Sequence, residues 1–259
     1  LCTAQSTLAQ TVPPVPAAPP TSLQGVALRD WLRQNWYDGK RVELSYSEAR
    51  AKMYNYADNF NNTLTCVYSG YSEARTLDFT NSSTATQNIN CEHTVPQSWF
   101  DEAVRMRSDM HHLFPTVIQW NSDRGSDPFA EIPDNQTQKW IRNLSSQTTI
   151  PTSNLAEYSE DTGSAFEPRE AFDTGKGVLA AVGDPATLYQ WHLQDPVDAR
   201  EEERNRRVAA SQGNFNPFVN DPSLVARAWG FQSGTGEPTA QFAAASGTQP
   251  EGNSGSTAY

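Results

Sequence analysis

Apolar positions are spaced unevenly along the chain, and the spacing divides it into three parts. Residues 1–22 carry no charged side chain and are rich in Pro, Ala, Thr and Ser. That composition offers too little apolar surface to offset the entropy of ordering, which predicts a flexible spacer. From Leu23 the pattern changes. Leu28, Trp31, Leu32 and Trp36 recur at helical spacing, and Ser45 or Ser47 is placed to cap a second helix carrying Ala49, Met53 and Tyr56. Asn62 to Tyr71 alternates like a strand, with Val67 and Tyr68 leading into a Ser69-Gly70 turn. Ile89 to Val95 is short, contains β-branched residues and stops at Pro96, which predicts a strand. A loop through Phe100 to Ser108 follows, then a second apolar stretch from Met110 to Ile118 that Pro115 turns into a bent or edge strand, then a helix over Trp120 to Asp127. Residues 133–165 are polar and punctuated, which predicts an extended loop layer. Gln212 to Phe218 is expected to close the fold around Pro217, and residues 231–259 return to Gly, Ser, Thr, Ala and Gln, the composition of a disordered tail. One domain over residues 23–230 is the result.

Charge and cysteine content narrow the picture further. A net charge of −11 over 259 residues excludes a chain that holds polyanions through a global basic field. A local cationic lining remains open: Arg105, Arg107, Arg124 and Arg142 are available, whereas Arg200, Arg204, Arg206 and Arg207 are better read as pairing with Glu201, Glu202 and Glu203 on a solvated helix. Of the three cysteines, Cys2 stands apart, while Cys66 and Cys91 either form one disulfide or remain two buried thiols. There is no Cys-x-x-Cys pair and no His-Glu-x-x-His helix, so neither a structural zinc site nor a zinc protease is supported. No apolar run reaches membrane-spanning length. The opening Leu1-Cys2-Thr3-Ala4-Gln5 reads as the remainder of an export signal, with Cys2 open to lipid anchoring, and implies a secreted or extracytoplasmic protein.

The chemistry concentrates in two short runs. Cys91-Glu92-His93-Thr94-Val95-Pro96-Gln97-Ser98 is followed, twenty-eight positions after its histidine, by Asn121 in Trp120-Asn121-Ser122-Asp123-Arg124-Gly125. A neutral imidazole suits proton removal from an attacking water, and His93 is the candidate base. Magnesium takes carboxylate and carbonyl oxygens, which Glu92 and Asn121 supply. Phosphodiester hydrolysis needs both. Adjacent strand residues point to opposite faces, so the strand must twist or end if Glu92 and His93 serve one site. Asn121 is also open to a helix-cap role. Arg124 either contacts the scissile phosphate with its planar donor fork or pairs with Asp123 or Asp127. Asp109 either orients a histidine or ends a turn, and at most one of His111 and His112 faces a cleft.

Five ordered blocks carry a resemblance to a known family: Asn90 to Phe100, Ser108 to Asn121, Ser122 to Phe129, Phe166 to Arg169, and Gln212 to Phe218. They span most of positions 24 to 230 and resemble the secreted endonuclease I family, non-specific bacterial nucleases. The resemblance implies an α+β fold with a ββα-metal (His-Me) finger embedded in a mixed, mainly helical and loop-rich single domain. It also implies His93 as general base, Glu92 and Asn121 as magnesium ligands, with Mn2+ or Ca2+ as possible substitutes, and cleavage of DNA, and of RNA, to 5′-phosphate ends. Arg107 and His112 stand where some relatives carry an acidic residue and an asparagine, and are assigned to substrate binding. After Lys176-Gly177, Val178 to Val182 reaches Gly183-Asp184-Pro185 at once, so the family's long helix there is expected to be shortened. Glu167 is expected in a buried salt bridge. A monomer is expected. The rival expectation is a surface-anchored nucleic-acid-binding protein that kept the fold and lost turnover.

Overall fold

The computed structural model describes residues 10–169 and 183–231. Helix α1 (Gly25–Leu32) buries Leu28 and Leu32 and widens into a π turn over Arg33–Tyr37 that buries Trp36. Helix α2 (Tyr46–Lys52) starts at Ser45, whose hydroxyl accepts from the Glu48 amide while the Glu48 carboxylate accepts from the Ser45 amide. This reciprocal cap satisfies two free donors. The following π turn, Met53–Ala57, turns Met53, Tyr54, Asn55 and Ala57 inward.

Three short strands, β1 (Asn59–Phe60), β2 (Thr63–Thr65) and β3 (Ser72–Ala74), form an antiparallel meander. The strand expected over Asn62 to Tyr71 is thus shorter, because the chain turns back at Gly70 with φ of +67°, a region that favours glycine. Strand β4 (Ile89–His93) leads through α3 (Val104–Arg107) and a 3-10 turn at Met110–His112 to β5 (Leu113–Val117), which pairs with β4 antiparallel, His93 opposite Leu113. Helix α4 (Ile118–Arg124) follows β5 without a loop. Pro115 is accommodated because a strand needs only its carbonyl there, and that carbonyl accepts from the Val67 amide at 2.9 Å.

The expected loop layer over 133–165 is instead a sheet. Strands β6 (Lys139–Arg142), β7 (Ser145–Gln147), β8 (Ser159–Asp161) and β9 (Phe166–Glu167) run in the order β7-β6-β8-β9, with Trp140 and Ile141 in the core. Helices α5 (Pro185–Gln194), α6 (Ala199–Gln212), α7 (Pro217–Asn220) and α8 (Leu224–Trp229) complete the domain. Residues 170–182, where the shortened helix was expected to begin, lie outside the described residues.

Two further expectations are corrected, and the alternative left open between a Cys66–Cys91 disulfide and two buried thiols is decided for the thiols. Residues 10–22 pack against the domain: the Trp36 indole donates to the Ala17 carbonyl at 3.1 Å, Arg227 donates to the Pro20 carbonyl at 2.7 Å, and Pro19 is buried. Proline has a preset φ and no N–H to satisfy, so holding such a segment costs little backbone entropy. Phe231, assigned to the tail, stacks on Tyr189 with centroids 4.2 Å apart. Cys66 and Cys91 are both free and buried. Cys91 pairs with Pro115 on one side of β5, and the segment after Cys66 meets Pro115 on the other. Two strand spacings of ~9–10 Å separate them, beyond the ~7 Å reach of a disulfide.

Among the described residues Glu167 has no salt-bridge partner; its carboxylate accepts from the Ile132 amide at 2.5 Å. It stands opposite Glu160 across β8 and β9. Burial, followed by the nearby charges of Glu131 and Asp134, pushes both carboxyls up to about 7. A carboxyl raised above its unfolded value binds its proton more tightly when folded, so this contribution is complete below the unfolded value and disappears as pH rises through about 7. The pair's own contribution to the melting temperature is therefore expected to grow between pH 8 and pH 5.5. In a Glu160→Gln/Glu167→Gln variant, thermal melts should show a flatter profile; an unchanged slope would remove the pair as its source.

Candidate active site

Helix α4 lies along one face of β4, and two side chains fix it there. Asn121 Nδ2 donates to Asn90 Oδ1 at 2.8 Å and to the Cys91 carbonyl at 3.0 Å. One turn later, Arg124 lies 3.5 Å from Glu92 Oε1 and donates to the Thr94 carbonyl at 3.1 Å. Asn90 and Glu92 are two apart on the strand and share a face, as Asn121 and Arg124 do on the helix. Glu92 and Asn121 therefore belong to one strand–helix interface. The cap role for Asn121 is set aside, since Val117 is the residue that precedes α4.

Glu92 is buried, and its Oε1 accepts from the Tyr68 hydroxyl at 2.5 Å. Burial pushes its carboxyl up to about 7, while the Arg124 guanidinium and the Tyr68 hydrogen bond pull it back. Both Asn121 amide hydrogens are engaged, which leaves its Oδ1 as a pure acceptor. One carboxylate and one carboxamide are hard oxygen donors, a set that fits magnesium or another hard divalent cation and not a thiophilic one. Among the described residues no group of three His, Cys, Asp or Glu side chains is placed to hold a metal ion.

His93, the last residue of β4, presents its ring to different neighbours. Its Nε2 lies 3.0 Å from the Arg107 carbonyl. A carbonyl only accepts, so Nε2 carries the hydrogen and Nδ1 holds the free lone pair. The ring sits 5.4 Å from Tyr46 and 5.4 Å from His112. Burial, reinforced by the His112, Arg107 and Arg50 charges, pushes the imidazole down to about 3, with the Arg107 carbonyl opposing. An ordinary value near 6.5 does not describe this ring, which is unprotonated through the neutral and mildly acid range. Glu92 and His93 thus have separate surroundings, as strand alternation requires.

Several assignments change. Arg124 is 1 % exposed and held by Glu92 and backbone carbonyls, so it is neither a surface phosphate contact nor the partner of Asp123 or Asp127. His112 is buried in a 3-10 turn rather than a strand; its Nε2 donates to the Met106 carbonyl at 2.6 Å and its Nδ1 has no partner. It forms a wall beside His93. His111 Nε2 donates to the Asn214 carbonyl at 3.0 Å, and Asp109 accepts from the His111 amide, ending the turn. Arg107 remains at the site: its guanidinium lies 4.5 Å from the Tyr46 ring and its Nε has no partner. Arg50, which sequence reasoning missed, lies 5.3 Å from the same ring, also with an unpartnered Nε. Tyr46 and Arg50 are four apart on α2, a spacing that announces one helix face but not what that face meets. Tyr68 had no signal at all, since its contact with Glu92 joins the turn after β2 to strand β4, 24 positions later.

The family model described as Endonuclease I matches residues 25–182 and 182–223. The chain belongs to the endonuclease I family. Among relatives, it is 29% identical over 184 residues to an extracellular ribonuclease of Bacillus subtilis (strain 168), covering 65% of this chain and 62% of that one. It is 28% identical over 154 residues to an extracellular ribonuclease of Bacillus amyloliquefaciens, 54% of this chain and 53% of that one. It is 30% identical over 154 residues to an extracellular deoxyribonuclease of Aeromonas hydrophila, 51% of this chain and 65% of that one. The chain thus spans less than two thirds of each of these relatives. The remaining arginines of this endonuclease I chain are largely paired: Arg105 with Asp38, Arg142 with Glu157, Arg206 and Arg207 with Glu203. Arg204 departs from the expected solvated pairing and is buried against Asp58. No helix among the described residues is long and apolar enough to cross a membrane.

Proposed function

We propose that this endonuclease I family chain is an exported, sequence-non-specific endonuclease that hydrolyses DNA and RNA through one cation and one histidine, leaving 5′-phosphate ends. The observation that carries it is the His93 tautomer. With Nε2–H committed to the Arg107 carbonyl, Nδ1 is a fixed, unprotonated acceptor next to two cationic side chains. His93 Nδ1 takes the proton of the attacking water. Arg50 and Arg107, whose guanidinium carbons lie 5.3 and 4.5 Å from the centre of the Tyr46 ring, offer planar donors to the phosphate oxygens, Arg107 in exchange for its pairing with Glu102 at 3.3 Å. Glu92 and Asn121 would hold magnesium, which supplies Lewis-acid stabilisation of the charge on phosphorus and on the leaving oxygen. Tyr68 and Arg124 orient the Glu92 carboxylate, and Asn90 orients the Asn121 carboxamide. The β4-β5-α4 unit would be the ββα-metal finger. The relatives described above, two extracellular ribonucleases and an extracellular deoxyribonuclease, support the substrate class and the export.

The test is supercoiled plasmid, and separately a structured RNA, incubated with the protein in magnesium and in chelator. Cleavage of both that disappears with chelator is expected. Cleavage that persists in chelator would refute the cation's part, and retardation of DNA without cleavage would establish the binding-protein alternative.

A further inference from the structure

A cavity of about 500 Å³ is lined by His112 but not by His93. It is of small-molecule size, is distinct from the β4–α4 interface, and no step proposed above uses it. Trp36, Phe215, Phe218 and Trp229 supply aromatic walls, and Met106 and His112 close the side toward the cleft. Cationic charge is in surplus at its edge: Arg29, Arg33 and Arg105 stand against Asp38 and Asp109, and Asp109 is already matched by Arg41 at 3.7 Å. In a chain of net charge −11 this surplus is local and directional. The shared wall matters most. His112 lies 5.4 Å from His93, is 7% exposed, and keeps an Nδ1 that has no hydrogen-bond partner. Because its Nε2 donates to the Met106 carbonyl, that Nδ1 is an acceptor. It is suited to an N–H donor. Helix α3 ties the two sites together, since Arg107 flanks the His93 ring while Arg105 and Met106 line the cavity.

We propose that this cavity receives an unpaired nucleobase of a single-stranded substrate whose backbone runs past His93, a reading that rests on the nuclease assignment above. A nucleobase matches each feature: a flat face for the aromatic walls, ring or exocyclic N–H donors for His112 Nδ1, and attached phosphates for the arginine edge. A duplex keeps its bases stacked inward and cannot use it. Single strands are therefore bound with an advantage that duplex lacks.

The test separates binding from turnover. In chelator and low salt, fluorescence anisotropy compares a labelled tetrathymidylate with its abasic analogue. The parent protein is expected to bind the intact strand about 5-fold or more tighter. Met106→Trp, which places an indole at the cavity side, should erase that difference. Arg33→Glu changes a side chain 63% exposed and so leaves the fold intact; it should weaken both oligonucleotides without closing the gap. Equal affinities for intact and abasic strands in the parent, or a gap that survives in a folded Met106→Trp variant, would overturn the proposal. Failure of the parent to hydrolyse any nucleic acid in magnesium would instead refute the nuclease reading, since the binding comparison involves no turnover.

Discussion

Replacing His93 with alanine is expected to slow phosphodiester hydrolysis by about 10²- to 10⁴-fold, the range for removing a positioned general base. The loss has one physical source, the Nδ1 lone pair that the Arg107 carbonyl holds in place by engaging Nε2. Since the ring is buried among Tyr46, Phe100 and His112, the substitution also leaves a void and an unanswered carbonyl. That costs roughly 1–3 kcal/mol of stability, so rates belong at a temperature where circular dichroism shows the variant folded. Two measurements distinguish base removal from general damage. Affinity for nucleic acid in chelator should stay near the parent value, because Arg50 and Arg107 are retained. Added free imidazole should restore part of the rate by occupying the vacated space. A His93→Ala variant that cleaves plasmid at the parental rate would end the assignment.

The part of the fold that was legible in the sequence is the part whose signals are local. Ile89 to His93 is β-branched and bounded by Pro96, and the helix begins directly after a second apolar run, so β4, β5 and α4 were readable to within a few residues. Glu92, His93 and Asn121 all lie within that stretch. What escaped depends on pairing across the chain. Strand β7 is Ser-Ser-Gln and fully exposed, and β9 is two residues long; neither has a face for alternation to reveal. Cysteine spacing carried no information about the strand that lies between Cys66 and Cys91. The partner of Arg124 was misread for the same reason: Asp123 and Asp127 are near in sequence, but the helix faces Glu92, thirty-two positions earlier. The run from Arg200 to Arg207 is a different kind of miss. Its periodicity was present, since Glu201, Arg204, Asn205, Val208 and Gln212 all fall on the buried face of α6, but that face is polar and so resembled a solvated one.

Arg204→Met should be the most damaging single substitution for stability. Its guanidinium donates to Asp58 twice, at 2.7 and 3.2 Å, and to the carbonyls of Met110 and Leu113 at 3.1 and 2.6 Å, while stacking 4.0 Å from Phe114. Methionine retains the stem's packing and removes every polar contact. Asp58, 4% exposed, then loses its paired cation, a situation that costs about 3–5 kcal/mol. A domain of this kind has only ~5–15 kcal/mol in total. Urea denaturation should therefore show a large fall in midpoint for Arg204→Met. The pair Asp58→Asn/Arg204→Met should recover part of it, because the stranded charge is gone while the two carbonyls still lack a donor. An unfolding free energy within ~0.5 kcal/mol of the parent's would mean that water replaces the guanidinium at no cost. The same contacts connect stability to activity. Leu113 is the residue opposite His93, and Met110 opens the turn that places His112 beside it. Loss of the Arg204 donors frees both ends of that turn, so Arg204→Met should lose hydrolysis at temperatures where the domain as a whole is still folded.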